Sequence, residues 1–350
     1  MRHKIKVLIV DDSALVRDIL SKGLSKDPEI EVVGTAPDVY VARDRIVYLK
    51  PDVLTLDVEM PKMDGVEFLR RLMPQYPLPV VMVSALTAPG AQTTLSALDY
   101  GAVDFVLKPS TSFGNRLDSM LGELIDKIKM ASTVDVSSWK RERSRRPTKK
   151  PESAVLAGTT DKVVAVGAST GGTVALRTMI EVFPPDMPGT VVVQHMPQKF
   201  TEMFAEKLNS VAKVEVKEAK DGDSIIKGRV LIAPGGKHMT VKRSGGRYIA
   251  RCYEDEKVNG HIPSVDVLFR SVAKNVGVNS MGVILTGMGR DGAEGMLEMR
   301  NSGARTLGQD ERTCVVFGMP KEAYSYGGAE RLVGIQDMTH EMVQLLKEMN

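Results

Sequence analysis

The chain has 350 residues, which at roughly 150 per domain predicts two domains, each long enough to bury its own core. Apolar residues make up 43% and charged residues 26%, the balance of a folded, water-soluble protein, and this excludes disordered and collagen-like chains. Lysine plus arginine numbers 47 against 44 acidic residues, and a net charge of +3 excludes a nucleic-acid or membrane surface argued from whole-chain charge.

The N-terminus is basic, but the apolar run Val7 to Val10 stops at Asp11-Asp12, short of a secretory core of about 7–15 residues. The most apolar stretch, Pro79 to Ala91, is interrupted by Ser84, Thr87 and Pro89 and falls short of the ~18 residues that span a membrane. A cytoplasmic protein without direct membrane insertion is expected. Cys252 and Cys314 lie far apart with no second thiol near either, the pattern of idle thiols in a reducing compartment.

In the first half, β-branched runs at Ile5–Val10, Glu31–Ala36, Val53–Asp57, Val80–Ala85 and Asp104–Leu107 read as strands. Between them lie helical spacings such as Ala14, Leu15, Ile19 and Leu24, then Val66, Phe68, Leu69 and Leu72. Such alternation predicts an α/β fold with a doubly wound parallel sheet. Ligands of such sheets bind at the carboxyl ends of the strands, where this chain places Asp11, Asp12, Asp57, Ser84 and Lys108. Any one of these acids alone reads as a helix cap. Acids converging on one edge repel each other unless a hard cation sits among them, and Mg²⁺ is the natural occupant. With Lys108 and the Ser84 hydroxyl opposite, the set fits phosphoryl transfer onto Asp57.

Residues 5–125 resemble a response-regulator receiver domain, through Val10-Asp11-Asp12-Ser13, Leu56-Asp57-Val58-Glu59-Met60-Pro61 with Asp64-Gly65, Val83-Ser84-Ala85 and Leu107-Lys108-Pro109. The resemblance implies that Asp57 is the phospho-acceptor, that Asp12, Asp57 and the Glu59 carbonyl hold Mg²⁺, and that Asp11 supports the metal through water. It also implies that Lys108 binds the phosphoryl group, and that Phe105, an aromatic without a hydroxyl, stands at the family's switch position. A histidine kinase is the implied phosphodonor.

Periodicity then disappears between Thr133 and Thr160, and the stretch from Lys140 to Pro151, with seven basic residues against one acidic, reads as a tether. It could attract an acidic partner, but Trp139 is its lone aromatic neighbour and no nucleic-acid partner is predicted. The expected division is a receiver at 1–130, a flexible basic linker at 131–160 and a second domain at 161–350.

The strand–helix pattern resumes with Lys162–Val166, Thr190–Gln194, Arg229–Ala233 and Met281–Leu285, and Gly245-Gly246, between Thr240-Val241 and Tyr248-Ile249, suggests an added β-hairpin. A second, Rossmann-like α/β domain is expected. Its first strand runs into Gly167-Ala168-Ser169-Thr170-Gly171-Gly172, a G-x-S-x-G turn before a helix beginning near Val174. Such a turn can raise a serine nucleophile or cradle an anion, and alone it does not choose between them. The next strand ends in His195, and a right-handed crossover would bring that histidine beside Ser169. The strand Met281–Leu285 leads to Asp291 on the same edge, completing the roles of nucleophile, base and orienting acid. His238 and His261 read as substrate-binding or structural.

Residues 160–347 resemble the catalytic domain of the chemotaxis protein-glutamate methylesterases, the CheB family. Further carrying motifs are Gln194-His195-Met196, Ala233-Pro234-Gly235-Gly236-Lys237-His238-Met239, Pro263-Ser264-Val265-Asp266-Val267-Leu268-Phe269 and Leu285-Thr286-Gly287-Met288-Gly289-Arg290-Asp291-Gly292. The resemblance implies the same Ser169, His195 and Asp291 roles and places the Met288 N–H in the oxyanion hole with Thr170 nearby. It also implies that methyl esters of glutamate on chemoreceptor cytoplasmic helices are the substrate, that glutamine is deamidated there too, and that phosphorylation relieves inhibition by the receiver. No cofactor is expected in the esterase domain. A response regulator with a DNA-binding or nucleotide-binding output is the alternative.

Overall fold

The computed structural model describes residues 4–85, 88–108, 115–136 and 161–349. Trp139 and the basic stretch 140–151 lie outside the described residues. The chain divides into two compact units, Met1–Ser144 and Arg145–Asn350.

The first unit follows the order β1 (Ile5–Val10), α1 (Ala14–Leu24), β2 (Ile30–Ala36), α2 (Val39–Leu49), β3 (Val53–Asp57), α3 (Gly65–Gln75), β4 (Val80–Ser84), α4 (Ala88–Asp99), β5 (Asp104–Leu107) and α5 (Asn115–Ala131). The strands form one parallel sheet in the order β2-β1-β3-β4-β5. Every residue of β3 and β4 is buried, as strands covered on both faces require. Short polar residues start the helices: Ser13, Asp38 and Asp64 accept the N–H groups of Val16, Tyr40 with Val41, and Glu67. Two expectations are corrected. Ala85 lies outside β4, and α1 turns Leu20, Gly23 and Leu24 inward while Leu15 stays 60% exposed. The inward face of α1 is the one that meets α5, where a Cβ on Gly23 would stand 2.6 Å from Leu121.

The second unit contains β6 (Val163–Ala168), α6 (Gly172–Ile180), β7 (Gly189–Gln194), α7 (Phe200–Asn209), β8 (Glu215–Glu218), β9 (Ser224–Ile225), β10 (Arg229–Ile232), β11 (His238–Ser244) and β12 (Arg247–Tyr253). It continues with α8 (Val265–Asn275), β13 (Ser280–Ile284), α9 (Ala293–Asn301), β14 (Arg305–Gln309), α10 (Met319–Ser325), β15 (Arg331–Val333) and α11 (Ile335–Glu348). Seven strands form a sheet in the order β15-β14-β13-β6-β7-β10-β8, every pairing parallel. The expected hairpin is β11 with β12, and β9 extends it to an antiparallel sheet of three strands. Lys162, Ala233 and Leu285 lie one residue outside the strands assigned to them, and α6 begins at Gly172 instead of near Val174. Lys162 is buried instead as a cap, its ammonium donating to the carbonyls of Leu346 and Met349 at the end of α11.

Helix α8 explains how the site is held. Its buried face, Val265, Leu268, Phe269 and Val272, follows helical spacing and packs with Met296 and Met299 of α9 in one core cluster. Burying side chains of this size contributes about 1.5–3 kcal/mol each. Methionines 179, 187, 239, 281, 319, 338 and 342 are also buried, so they fill the interior rather than forming a surface patch.

Candidate active site and phospho-acceptor cluster

In the first unit, the carboxyl ends of β1, β3, β4 and β5 bring together the predicted set. Carboxylate oxygens of Asp11, Asp12 and Asp57 all lie within 4.8 Å of one another, with Asp11 and Asp57 buried and Asp12 exposed. Lys108 Nζ reaches Asp11 at 2.7 Å and Asp57 at 2.8 Å. Arg17 donates to the backbone carbonyls of Asp11 and Asp12 at 2.7 and 2.9 Å. Burial pushes the Asp57 carboxyl up to about 6, Lys108 opposes that rise, and the neighbouring Asp11 adds to it. Three hard oxygen donors facing one ammonium fit a small divalent cation, whose charge would remove that penalty.

Ser84 is fully buried, accepts from Thr94 Oγ1 at 2.7 Å and donates to the Ala85 carbonyl at 3.2 Å. The Lys108 N–H bonds the Ser84 carbonyl at 2.7 Å, tying the last two strand ends together. Phe105 is buried in β5, and Lys127 binds its carbonyl while lying 5.4 Å from the ring centroid. The Glu59 N–H approaches Asp57 Oδ1 at 3.4 Å, which puts Glu59 beside the cluster. Thr94 was missed by sequence reading, because nothing marks a helical threonine as a partner of a strand-end serine.

In the second unit, β6 is flanked by β7 on one side and β13 on the other, so three neighbouring strand ends carry Ser169, His195 and Asp291 to one edge. This is where strand order reverses, the usual place for a crevice. Ser169 sits on a turn that glycine makes possible. Gly171 has φ 77°, and a Cβ on Gly172 would stand 2.1 Å from Gln194 Oε1. The Ser169 N–H donates to the Thr286 carbonyl at 3.0 Å, and its own carbonyl accepts from Gln194 Nε2 at 2.9 Å. Those bonds stitch the turn to both neighbouring strands.

His195 Nε2 lies 2.8 Å from Asp291 Oδ2. Its Nδ1 is buried with no hydrogen-bond partner among the described residues, so no bond yet joins it to the Ser169 hydroxyl. Catalytic hydrogen bonds of this type commonly tighten when substrate binds. Asp291 is 2% exposed and lies at the N-terminus of α8, where it accepts from Val265 N at 2.7 Å, Asp266 N at 3.2 Å and Ser264 Oγ at 2.8 Å. Burial alone would raise its carboxyl, but His195, Asn259 and the Val265 N–H more than offset that and hold it well below the usual carboxylate range. It therefore stays ionised beside the imidazole.

Met288 is exposed on the loop before Asp291, and no acceptor for its N–H occurs among the described residues. Thr170 is buried in the serine turn, its carbonyl accepting from Thr286 Oγ1 at 3.0 Å. His238 has a structural place: Nδ1 accepts from Ser264 N at 3.2 Å and Nε2 donates to the Glu256 carbonyl at 2.9 Å. His261 lies against His195. Ser264 and Asp266 stand in a motif quoted from the sequence but were given no role there, and Asn259 was not singled out, though Ser264 before an apolar run carried the signal of a helix cap.

Comparison with known proteins agrees with both units. The family described as CheB methylesterase matches residues 164–342, and the response regulator receiver domain matches residues 7–116. A protein-glutamate methylesterase/protein-glutamine glutaminase of Syntrophotalea carbinolica is 63% identical, the match covering 99% of each chain. One of the same name from Sulfurimonas denitrificans is 54% identical over 98% of this chain and 99% of its own. The crystal structure of the Thermotoga maritima CheB methylesterase catalytic domain aligns with a TM-score of 0.52 at 37% identity, covering 53% of this chain and 98% of that one. No helix among the described residues is long and apolar enough to cross a membrane.

Proposed function

Because the chain belongs to the CheB methylesterase family and carries a response-regulator receiver domain, we propose that it is a phosphorylation-activated hydrolase of glutamate methyl esters on chemoreceptor cytoplasmic helices. It also deamidates glutamines there, since ester and amide share a tetrahedral intermediate. The DNA-binding and nucleotide-binding alternatives are not favoured, because the match over residues 164–342 is to a methylesterase. We assign the receiver to 1–130, the linker to 131–160 and the catalytic domain to 161–350.

The observation that carries this reading is the Asp291 carboxylate, pinned by α8 and bonded to His195 beside the Ser169 turn. In the reaction Ser169 Oγ attacks the ester carbonyl and His195 Nδ1 accepts its proton. The Met288 N–H meets the negative charge developing on the carbonyl oxygen, close to Thr170. The imidazolium then returns its proton to the leaving oxygen, releasing methanol and an acyl-serine. His195 next takes a proton from water, whose oxygen attacks the acyl carbon, and frees the carboxylate and Ser169. With an amide substrate the leaving group is ammonia. Asp291 holds the ring and stabilises the imidazolium throughout.

In the receiver, Asp12, Asp57 and the Glu59 carbonyl would hold Mg²⁺, with Asp11 supporting it. The ion when bound neutralises charge on the phosphoryl oxygens and the acids. Asp57 accepts the phosphoryl group from a histidine kinase, Lys108 and Ser84 bind it, and Phe105 repacks as the switch. The test is methanol release from methylated receptor membranes by wild type and Ser169→Ala, with and without a small phosphodonor and Mg²⁺. Donor-stimulated release in wild type and none in Ser169→Ala is expected; release surviving the substitution would overturn the assignment.

A further inference from the structure

The turn from Val258 to His261 touches both the base and the acid of the site. Val258 and His261 exchange backbone hydrogen bonds of 3.1 and 3.0 Å, closing a tight antiparallel bridge. Its two central residues, Asn259 and Gly260, have φ values of 53° and 81°, the sign required by tight turns that favour an Asn-Gly pair. The backbone of this segment is therefore set locally, by its own sequence. From it the His261 ring stacks on His195 with centroids 3.8 Å apart and planes 9° from parallel. Asn259 Nδ2 donates both to Asp291 Oδ1 at 3.0 Å and to Asp266 Oδ2 at 2.7 Å.

Resting on the esterase reading above, we propose that this turn is a positioning clip for the triad, His261 fixing the plane of the His195 ring and Asn259 fixing the Asp291 carboxylate. The reason is geometric. A single hydrogen bond from His195 Nε2 to Asp291 leaves the imidazole free to swing about the N···O line. Any such swing moves Nδ1, the nitrogen that must meet the serine proton. A parallel ring in van der Waals contact removes that freedom, and the contact needs an aromatic face rather than a charge. On the other side, Asn259 supplies one N–H to each of two buried carboxylates, holding Asp291 in register and separating it from Asp266. Neither residue of the clip needs to touch the substrate. Both are positioning residues, and misplacing a reacting group by about 1 Å can cost on the order of a hundredfold in rate.

The test uses the full chain with methylated receptor membranes and compares His261→Ala, His261→Phe, Asn259→Ala and Ser169→Ala. Removing the stack in His261→Ala should lower kcat by about tenfold or more while KM stays within about twofold, because orientation is lost and binding is not. His261→Phe keeps a flat face and should recover most of that loss. Asn259→Ala should lower kcat in the same way. The His195 imidazole ¹H–¹⁵N signals should broaden or split in His261→Ala and sharpen again in His261→Phe, a response that loss of stability alone does not produce. A kcat in His261→Ala equal to wild type, or a His261→Phe variant as slow as His261→Ala, overturns the clip. Ser169→Ala separates the two ideas: if it stays active the esterase reading fails, and if it is dead while His261→Ala is fully active only the clip fails.

Discussion

Gly167 and Val265 stand so close that a Cβ on the glycine would fall 2.2 Å from the valine Cγ1. The contact seats the first turn of α8 against β6, and that turn supplies the donors to Asp291. Gly167→Ala is expected to push α8 away, costing about 1–3 kcal/mol of stability as overpacking does. Esterase activity should fall further than stability alone explains, because the acid loses its donors. Urea unfolding followed through labelling of Cys252 and Cys314, both in the second unit, measures the first effect and methanol release the second.

Asp291 makes the stability of the second unit depend on acid. Its folded carboxyl titrates below the unfolded value of about 4, so the native state binds fewer protons than the unfolded chain. The resulting stabilisation is present above that value and drains away as pH falls toward the depressed one. Wild type should therefore lose urea resistance more steeply below about pH 4 than Asp291→Asn, which lacks the titrating group. Parallel curves between pH 2.5 and 6 would contradict this linkage. The same variant should lose on the order of 10⁴ in kcat, since the amide cannot hold the required tautomer.

Receiver chemistry gives a separable prediction. Asp12→Asn removes a charged donor from the cluster and should weaken Mg²⁺ binding by tenfold or more, on the order seen for metal-site changes. Asp57→Asn should take up no phosphoryl group from a small phosphodonor, whereas wild type gains a base-labile acyl phosphate. Calorimetry and mass measurement of the full chain read the two results, and labelling of Asp57→Asn would relocate the acceptor.

Cys252 offers a check on the hairpin. Burial, with the charges of Asp221 and Asp223, pushes its thiol up to about 12. Native protein at pH 8 should therefore alkylate at Cys252 at least about a hundredfold more slowly than unfolded protein. Fast native labelling would mean that Cys252 is not seated against the Ala219 carbonyl, which lies 3.9 Å from its Sγ.

Much of this was legible in the sequence where a β-branched run ended in a functional side chain. β1, β3 and β5 were bounded correctly because their apolar runs stop at residues that chemistry, not packing, requires. Three strands of the second sheet were not singled out. β8 is an edge strand reading Glu-Val-Lys-Glu with one buried residue, while β14 includes Gly308 and two polar residues buried by the fold. That Ser169, His195 and Asp291 share one edge was readable because they follow the ends of β6, β7 and β13, yet the place of β13 beside β6 is set by long-range pairing. For the same reason the His261 stack was illegible: nothing near position 195 announces a ring arriving from a distant turn.

The donors that keep Asp291 ionised belong to α8, an 11-residue helix too short to be stable alone in water, so its first turn depends on packing against β6 and α9. A chain that ends before α8 lacks those donors, even with Ser169 and His195 already synthesised. On the proposed triad, hydrolysis of esters would await the completed domain.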